Sequence, residues 1–371
     1  MQMLIAILLM PAAALGGGGG DPPSMRERNR ILVRACGHHR AVGFYKIDAR
    51  TGKVVERLTK DPNLHDKDPR WSPDRRKISW MRGEVYKEGT TGVPGEIYVM
   101  DADGTDRRRV TDSELPNFDP DWSPDSTKLV FERGFLEESD IVTVDADGSG
   151  ERRLTHDDGV DIDPVWSPNG RWITWSSDYA IRKMRADGTD KQKLTGARQA
   201  ERRASDAAPR WSPAGNAILF VRSIHGKDDW NRELFTIRPS GRGLTRLTRS
   251  RADEYEHSWS PDGTKIVFQR RGYASDGTIR QHLWAMDADD GSQTRLTGNL
   301  AVKNWSHFSF YPTWSSNGTR VAYTRYRTHC GRADLWVARA DGSGTRRLTR
   351  TDRLGEIKPN WYSRGGQDQV F

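Results

Sequence analysis

The chain lacks most of the features that mark the commoner functional classes. Only two cysteines, Cys36 and Cys330, occur in 371 residues, so a cysteine-ligated metal cluster and a dense disulfide framework are both excluded. Long apolar runs are missing. The longest, Met3 to Leu9, is too short to span a bilayer. There is no Gly-x-Ser-x-Gly elbow, no phosphate-cradling glycine loop and no His-x-His or His-Glu-x-x-His pair. No catalytic motif therefore stands out, and the chain is expected not to be an enzyme. Acid excess is absent as well: the formal charge is +8.

What is present is one phrase written seven times. A tryptophan is followed by a Ser-Pro-Asp-Gly-like turn and a short apolar strand. The tryptophans are Trp71, Trp122, Trp166, Trp211, Trp259, Trp314 and Trp361, 44–55 residues apart. A period of that size marks an array of supersecondary units. In the clearest copy Trp259 ends a strand A, and Ser260-Pro-Asp-Gly263 makes a type I turn. Lys265 to Gln269 alternates as strand B. Strand C is Leu283 to Asp287, and strand D ends at Thr297. The C–D turns read Asp101-Ala-Asp-Gly104, Asp145-Ala-Asp-Gly148 and variants, which is hairpin chemistry rather than an EF-type calcium loop.

Four antiparallel strands at this period predict an all-β propeller. Residues 30–59 supply strands B, C and D without a strand A. Lys358 to Ser363 supplies a strand A and nothing after it. Joining them gives seven blades, the last closed by N- and C-terminal strands, and hides two open edges. Six blades with one end as a cap is the alternative. Cys36 and Cys330 then fall in B–C loops of adjacent blades, making them a disulfide candidate that would clasp the ring.

Residues 28–371 read as a single propeller, and residues 1–24 as a leader. Met3 to Leu9, Pro11-Ala-Ala-Ala-Leu15 and Gly16 to Gly20 fit a secretory signal peptide, although no Lys or Arg precedes the apolar stretch. A start at Met25 is the alternative. The reading places the protein outside the cytoplasm, secreted or periplasmic, with no transmembrane segment in the mature chain, as a monomer.

The repeat resembles the TolB-like propeller family, the WD40-like repeats of bacterial envelope and secreted proteins. The residues that carry the resemblance are Asp119-Pro-Asp-Trp122-Ser-Pro-Asp, then Asp140-Ile-Val-Thr-Val-Asp145-Ala-Asp-Gly148, then Arg152-Arg-Leu-Thr155. It covers about nine-tenths of the chain. It implies a fold more than a function, since many unrelated activities share that fold. The preceding α/β domain of TolB and the hydrolase domain of prolyl-oligopeptidase-like enzymes have no counterpart in this sequence.

In such a blade the A–B and C–D turns emerge on one face. The D–A and B–C loops emerge on the other, where Arg82 to Gly95, Ser223 to Arg232, Gly272 to His282 and Tyr326 to Ala333 read as long loops suited to binding. Three residues before each tryptophan stand Asp68, Asp119, Asp163, Ala208, Glu256, Tyr311 and Lys358. Five before stand Asp66, Asn117, Asp161, Asp206, Glu254, Ser309 and Glu356. A period of two puts both positions on one side of an extended chain. Nine carboxylates then gather at one channel mouth: Asp66, Asp68, Asp119, Asp161, Asp163, Asp206, Glu254, Glu256 and Glu356.

Such a ring suits Ca2+ or a basic peptide; capping of local turns by each Asp is the competing account. Aromatic loop candidates are Trp230, Tyr273, Trp305, Phe308 and Tyr311. The expected partner is a protein or peptide, or a cell-envelope component or glycan. Nucleic acid is not expected, because Arg107 to Arg109, Arg152, Arg153, Lys191, Lys193, Arg246, Arg346 and Arg347 lie on outer strands, where basic residues guard sheet edges. The alternative function is a carbohydrate-active enzyme, oligogalacturonate-lyase-like, with a metal held across blades by His65, His257 and His307.

Overall fold

Each tryptophan phrase closes an innermost strand, and the strand after the turn runs back beside it. In the computed structural model, blade 1 is Leu64–Trp71, Lys77–Glu84, Glu96–Asp101 and Arg108–Arg109, strands A to D from the axis outward. The same antiparallel order recurs in blades 2 to 6, whose inner strands are Asn117–Trp122, Asp161–Trp166, Ser205–Trp211, Asp253–Trp259 and Ser309–Trp314. Blade 7 is composite. Gly355–Trp361 pairs with Arg30–Cys36, which continues to Gly43–Asp48 and Val54–Arg57. The chain is a seven-bladed β-propeller, and six blades is excluded. The structure describes residues 30–36, 43–59, 64–84, 95–135, 138–196, 205–225, 230–273, 279–298, 301–302, 309–328, 332–350 and 355–361. Among these no helix is long and apolar enough to cross a membrane.

The core is divided into seven clusters, each shared by two neighbouring blades. Met81, Ile97 and Val99 of blade 1 pack on Trp122, Leu129 and Phe131 of blade 2. Leu32, Phe44 and Leu58 of the composite blade pack on Trp71, Ile78 and Trp80 of blade 1. Sheets stacked face to face bury alternate side chains on both faces, which explains the apolar runs in strands B and C. Trp71, Trp122, Trp166, Trp211, Trp259 and Trp314 are buried, as a core role requires. Three also tie blades together: the indole N–H groups of Trp122, Trp259 and Trp314 donate to the carbonyls of Arg70, Arg210 and Ser258, each at 3.3 Å.

Two side-chain devices repeat with the blades. The turn serine accepts a backbone N–H five residues on, as Lys77 N to Ser72 Oγ at 2.9 Å and Lys265 N to Ser260 Oγ at 2.9 Å. The threonine that ends strand D accepts a backbone amide within strand C. Thr59, Thr111, Thr155, Thr195, Thr248, Thr297 and Thr349 do so at 2.8–3.1 Å. Strand D pairs over only a few residues, so the hydroxyl takes over where the ladder stops.

Two expectations need correction. Several B–C hairpins run further than the turn signals suggest: strand B extends to His225, Tyr273 and Thr328 in blades 4, 5 and 6, and strand C resumes at Trp230, Ile279 and Arg332. The antiparallel ladder continues through these segments, with pairs such as Ile224↔Asn231, Tyr273↔Ile279 and Tyr326↔Ala333. The second correction concerns strand A. Each described strand A is broken by a bulge two to three residues before its tryptophan, with register shifts such as Lys67/Arg70 and Ile162/Val165. The residue at minus three adopts the left-handed conformation, with φ of 53° at Asp68, 47° at Asp119, 55° at Asp163, 57° at Ala208, 50° at Glu256 and 56° at Tyr311. A bulge adds a residue and inverts the side-chain alternation beyond it. The period-two argument therefore fails there.

Candidate functional site

The consequence of the bulge is visible in blade 3. Asp161, at minus five, accepts the indole N–H of Trp175 at 2.8 Å, while Asp163, at minus three, accepts the hydroxyl of Ser176 at 3.2 Å. Trp175 and Ser176 are successive strand residues and point to opposite faces. The two acid columns therefore part instead of merging.

The minus-five column belongs to the blades. Asp66 accepts from Trp80 Nε1 at 3.0 Å and from Arg82 at 2.6 and 3.0 Å. Asp206 makes a bidentate pair with Arg222 at 2.6 and 2.7 Å. Glu254 accepts from Arg270 at 2.7 Å, Thr248 at 2.7 Å and Ser250 at 2.7 Å. Asp66, Asp161, Asp206 and Glu254 are each at most 2 % exposed. Burial, followed by the neighbouring Glu233, pushes Glu254 up to about 7. The backbone of Glu356 lies in the inner strand of the composite blade.

The minus-three column lines the axis. Asp163 also accepts the amide of Ala208 in blade 4 at 3.3 Å, and its own amide donates to Glu132 of blade 2 at 3.0 Å. Burial raises the Glu132 carboxyl well above its ordinary range, and Asp119, Asp163 and Asp68 add to the rise. Four acids from three blades thus stand close enough to repel one another. Burial likewise raises Asp163. Asp68, Asp163 and Glu256 are buried, and Asp119 is half-buried.

Sequence reasoning missed the residues that share this space. Glu132 comes from strand B. The column immediately before each tryptophan holds Arg70, Asp121, Val165, Arg210, Ser258, Thr313 and Asn360. Asp121 accepts the amide of Trp166 at 3.0 Å. Burial raises it, while Arg70 and Arg210 act to lower it. The signal was available: three charged residues sit next to a core tryptophan, where an apolar neighbour would cost less.

Of the proposed histidine ligands, His257 is fully buried, and its Nε2 donates to the carbonyl of Ala208 at 3.0 Å. Burial, then the charge of Arg210, lowers it to about 3, so it is neutral. His65 lies in the inner strand of blade 1, and His307 lies outside the described residues. Among the described residues no three His, Cys, Asp or Glu side chains are grouped to hold a metal ion. Trp230 opens a strand C and Tyr273 closes a strand B, both beside B–C loops. Tyr311 takes the minus-three place in blade 6. Trp305, Phe308 and Cys330 lie outside the described residues, as does the leader, and Cys36 ends a strand of the composite blade.

Outer-strand arginines are largely committed. Arg109 pairs with Asp112, Arg153 with Asp140, Arg246 with Glu233 and Arg347 with Asp334. Arg107 and Arg346 reach carbonyls of the composite blade at Leu58 and Ala49.

Residues 52–199 match the family model described as the TolB beta propeller domain. Over that stretch the seven-bladed propeller carries TolB-like repeats. No curated protein matches it. Among solved structures, oligogalacturonate lyase from Vibrio parahaemolyticus is 14 % identical with a TM-score of 0.62, over 83 % of this chain and 91 % of that one. An oligogalacturonate lyase in complex with manganese is 15 % identical with a TM-score of 0.63, over 85 % and 87 %. TolB from Acinetobacter baumannii is 16 % identical with a TM-score of 0.51, over 89 % and 81 %. Identities this low establish a shared fold. Enzymes and TolB both carry it, so the fold of this propeller does not by itself fix an activity.

Proposed function

We propose that this TolB-like propeller is a secreted or periplasmic binding module that holds a protein or peptide partner on its long-loop face, at the acidic mouth of the central channel. The observation that carries the reading is the convergence of Asp68, Asp119 and Asp163, from three blades, on Glu132. Carboxylates forced together in partial burial favour a cationic group that relieves their repulsion. The rigid ring supports them, because each minus-three residue is fixed by a bulge rather than carried on a free loop. The partner side chain this site fits is lysine or arginine. The apolar leader of residues 1–24 supports an extracytoplasmic location.

The carbohydrate-enzyme alternative requires a metal held across blades. His257 is ill suited to that task, because its ring is buried and its Nε2 is committed to the carbonyl of Ala208.

Capture of partners from cell-envelope extract tests the proposal. The triple variant Asp68→Asn, Asp119→Asn, Glu256→Gln removes charge and keeps shape. Capture is expected to fall at least ten-fold while thermal stability holds or rises. Unchanged capture by the folded variant removes the channel mouth from the account.

A further inference from the structure

Below the acid layer the channel changes sign. Strand A ends at its tryptophan beside the A–B turn, so the residue at minus one lies deeper than the residue at minus three, as seen from the long-loop mouth. Two residues of extended chain separate the layers by roughly 7 Å, less what the bulge takes up. In the deeper layer stand Arg70 of blade 1 and Arg210 of blade 4, with Asp121 of blade 2. Blades 1 and 4 are three places apart in a ring of seven, so their inner strands face each other across the channel.

The two guanidinium groups are 6 % and 3 % exposed for their residues as a whole. Buried Nε and Nη1 of Arg70, and buried Nε of Arg210, have no hydrogen-bond partner among the described residues. Arg210 Nη1 donates to the carbonyl of Pro209 at 2.8 Å. Among the described residues neither arginine forms an ion pair with Asp121, whose Oδ2 is engaged by the amide of Trp166. Burial and then the like charge of Arg70 depress Arg210, and both outweigh the opposing influence of Asp163, Asp121 and Asp119. Two opposed, desolvated cations with donors unfilled form a receptor for a planar, bidentate anion, and carboxylate matches the guanidinium fork.

We infer that the floor of the channel takes a carboxylate, the free C-terminus of a peptide whose last residues are lysine or arginine. The terminal carboxylate reaches Arg70 and Arg210, and the basic side chains meet the acid layer above. This rests on the acidic-mouth reading and adds polarity to it: the partner enters by its C-terminus, carboxylate first. A lysine at the terminus carries its own ammonium at about the layer spacing from its carboxylate.

Fluorescence anisotropy with the full chain tests it. The probes are an N-terminally labelled Gly-Ser-Gly-Ser-Lys-Lys peptide with a free C-terminus and the same peptide amidated. The free acid is expected to bind at least ten-fold tighter. In the double variant Arg70→Gln, Arg210→Gln that preference is expected to vanish, with the amide's affinity unchanged. Equal binding of the two peptides to the unaltered protein overturns the carboxylate site and leaves the acidic mouth standing. Binding of neither overturns both. The comparison of peptides needs no variant, so it decides the matter even if the double variant does not fold.

Discussion

At the scale of single residues, the propeller holds ionisable groups where water would normally be needed. Glu254 is the clearest. Its carboxyl titrates near 7 in the folded protein, against an ordinary value of 4.5. Between those values the folded chain keeps a proton that the unfolded chain has released, so stability is full below about pH 4.5 and falls as pH rises through 7. The shift corresponds to something on the order of 3 kcal/mol. Urea titrations from pH 4 to 8 are expected to show this fall, and Glu254→Gln is expected to flatten it. His257 acts in the opposite sense. Lowered to about 3, it favours folding above the ordinary histidine range, and that contribution is lost as pH falls from about 6.5 towards 3.

At the scale of elements, the inner strand is defined by its bulge. Six described strands carry a non-glycine residue in the left-handed region at the same place. For an L-residue this conformation costs roughly 1–2 kcal/mol, and at Ala208 no side-chain hydrogen bond offsets it. Ala208→Gly is therefore expected to stabilise the protein by about 0.5–1 kcal/mol, the relief of strain less glycine's greater freedom in the unfolded chain. Chemical denaturation checks this, and a loss of stability would mean that the alanine methyl packs more than it strains. The strand phrase itself was legible because turn chemistry is local: Ser260, Pro261, Asp262 and Gly263 declare their turn from sequence alone. The threonines at the ends of strand D were visible as a column, but their task was not, since the amide each one serves lies 14 or 15 residues away.

At the scale of the molecule, stability depends on closure. Gly355–Trp361 is the inner strand of a blade whose other three strands come from the opposite end of the chain. Removing residues 355–371 exposes the edge of Arg30–Cys36 and opens the ring at the composite blade. The truncated chain is expected to unfold at a temperature several degrees lower and with reduced cooperativity. Added peptide spanning 355–371 is expected to restore part of the loss in differential scanning calorimetry. Equal melting of both forms would show that the composite blade contributes little. Closure was legible from sequence because both ends were incomplete in complementary ways.

The sequence by itself determined the repeat and the four-strand order, and pointed to a ring closed by its two ends; the structure decided seven blades over six. The repeat and the strand order follow from periodicity and turn residues, which act over a few positions. Tertiary structure alone decided which acids share a space. Asp161 and Asp163 stand two apart in an unbroken pattern, yet a bulge sends them to opposite faces of one sheet. Arg70 and Arg210 lie 140 residues apart and meet across a channel that exists only once seven blades close around it. Local sequence specifies how a strand begins and ends. The bulge depends on how a strand pairs with its neighbour, and the charges brought together depend on the curvature of the whole ring.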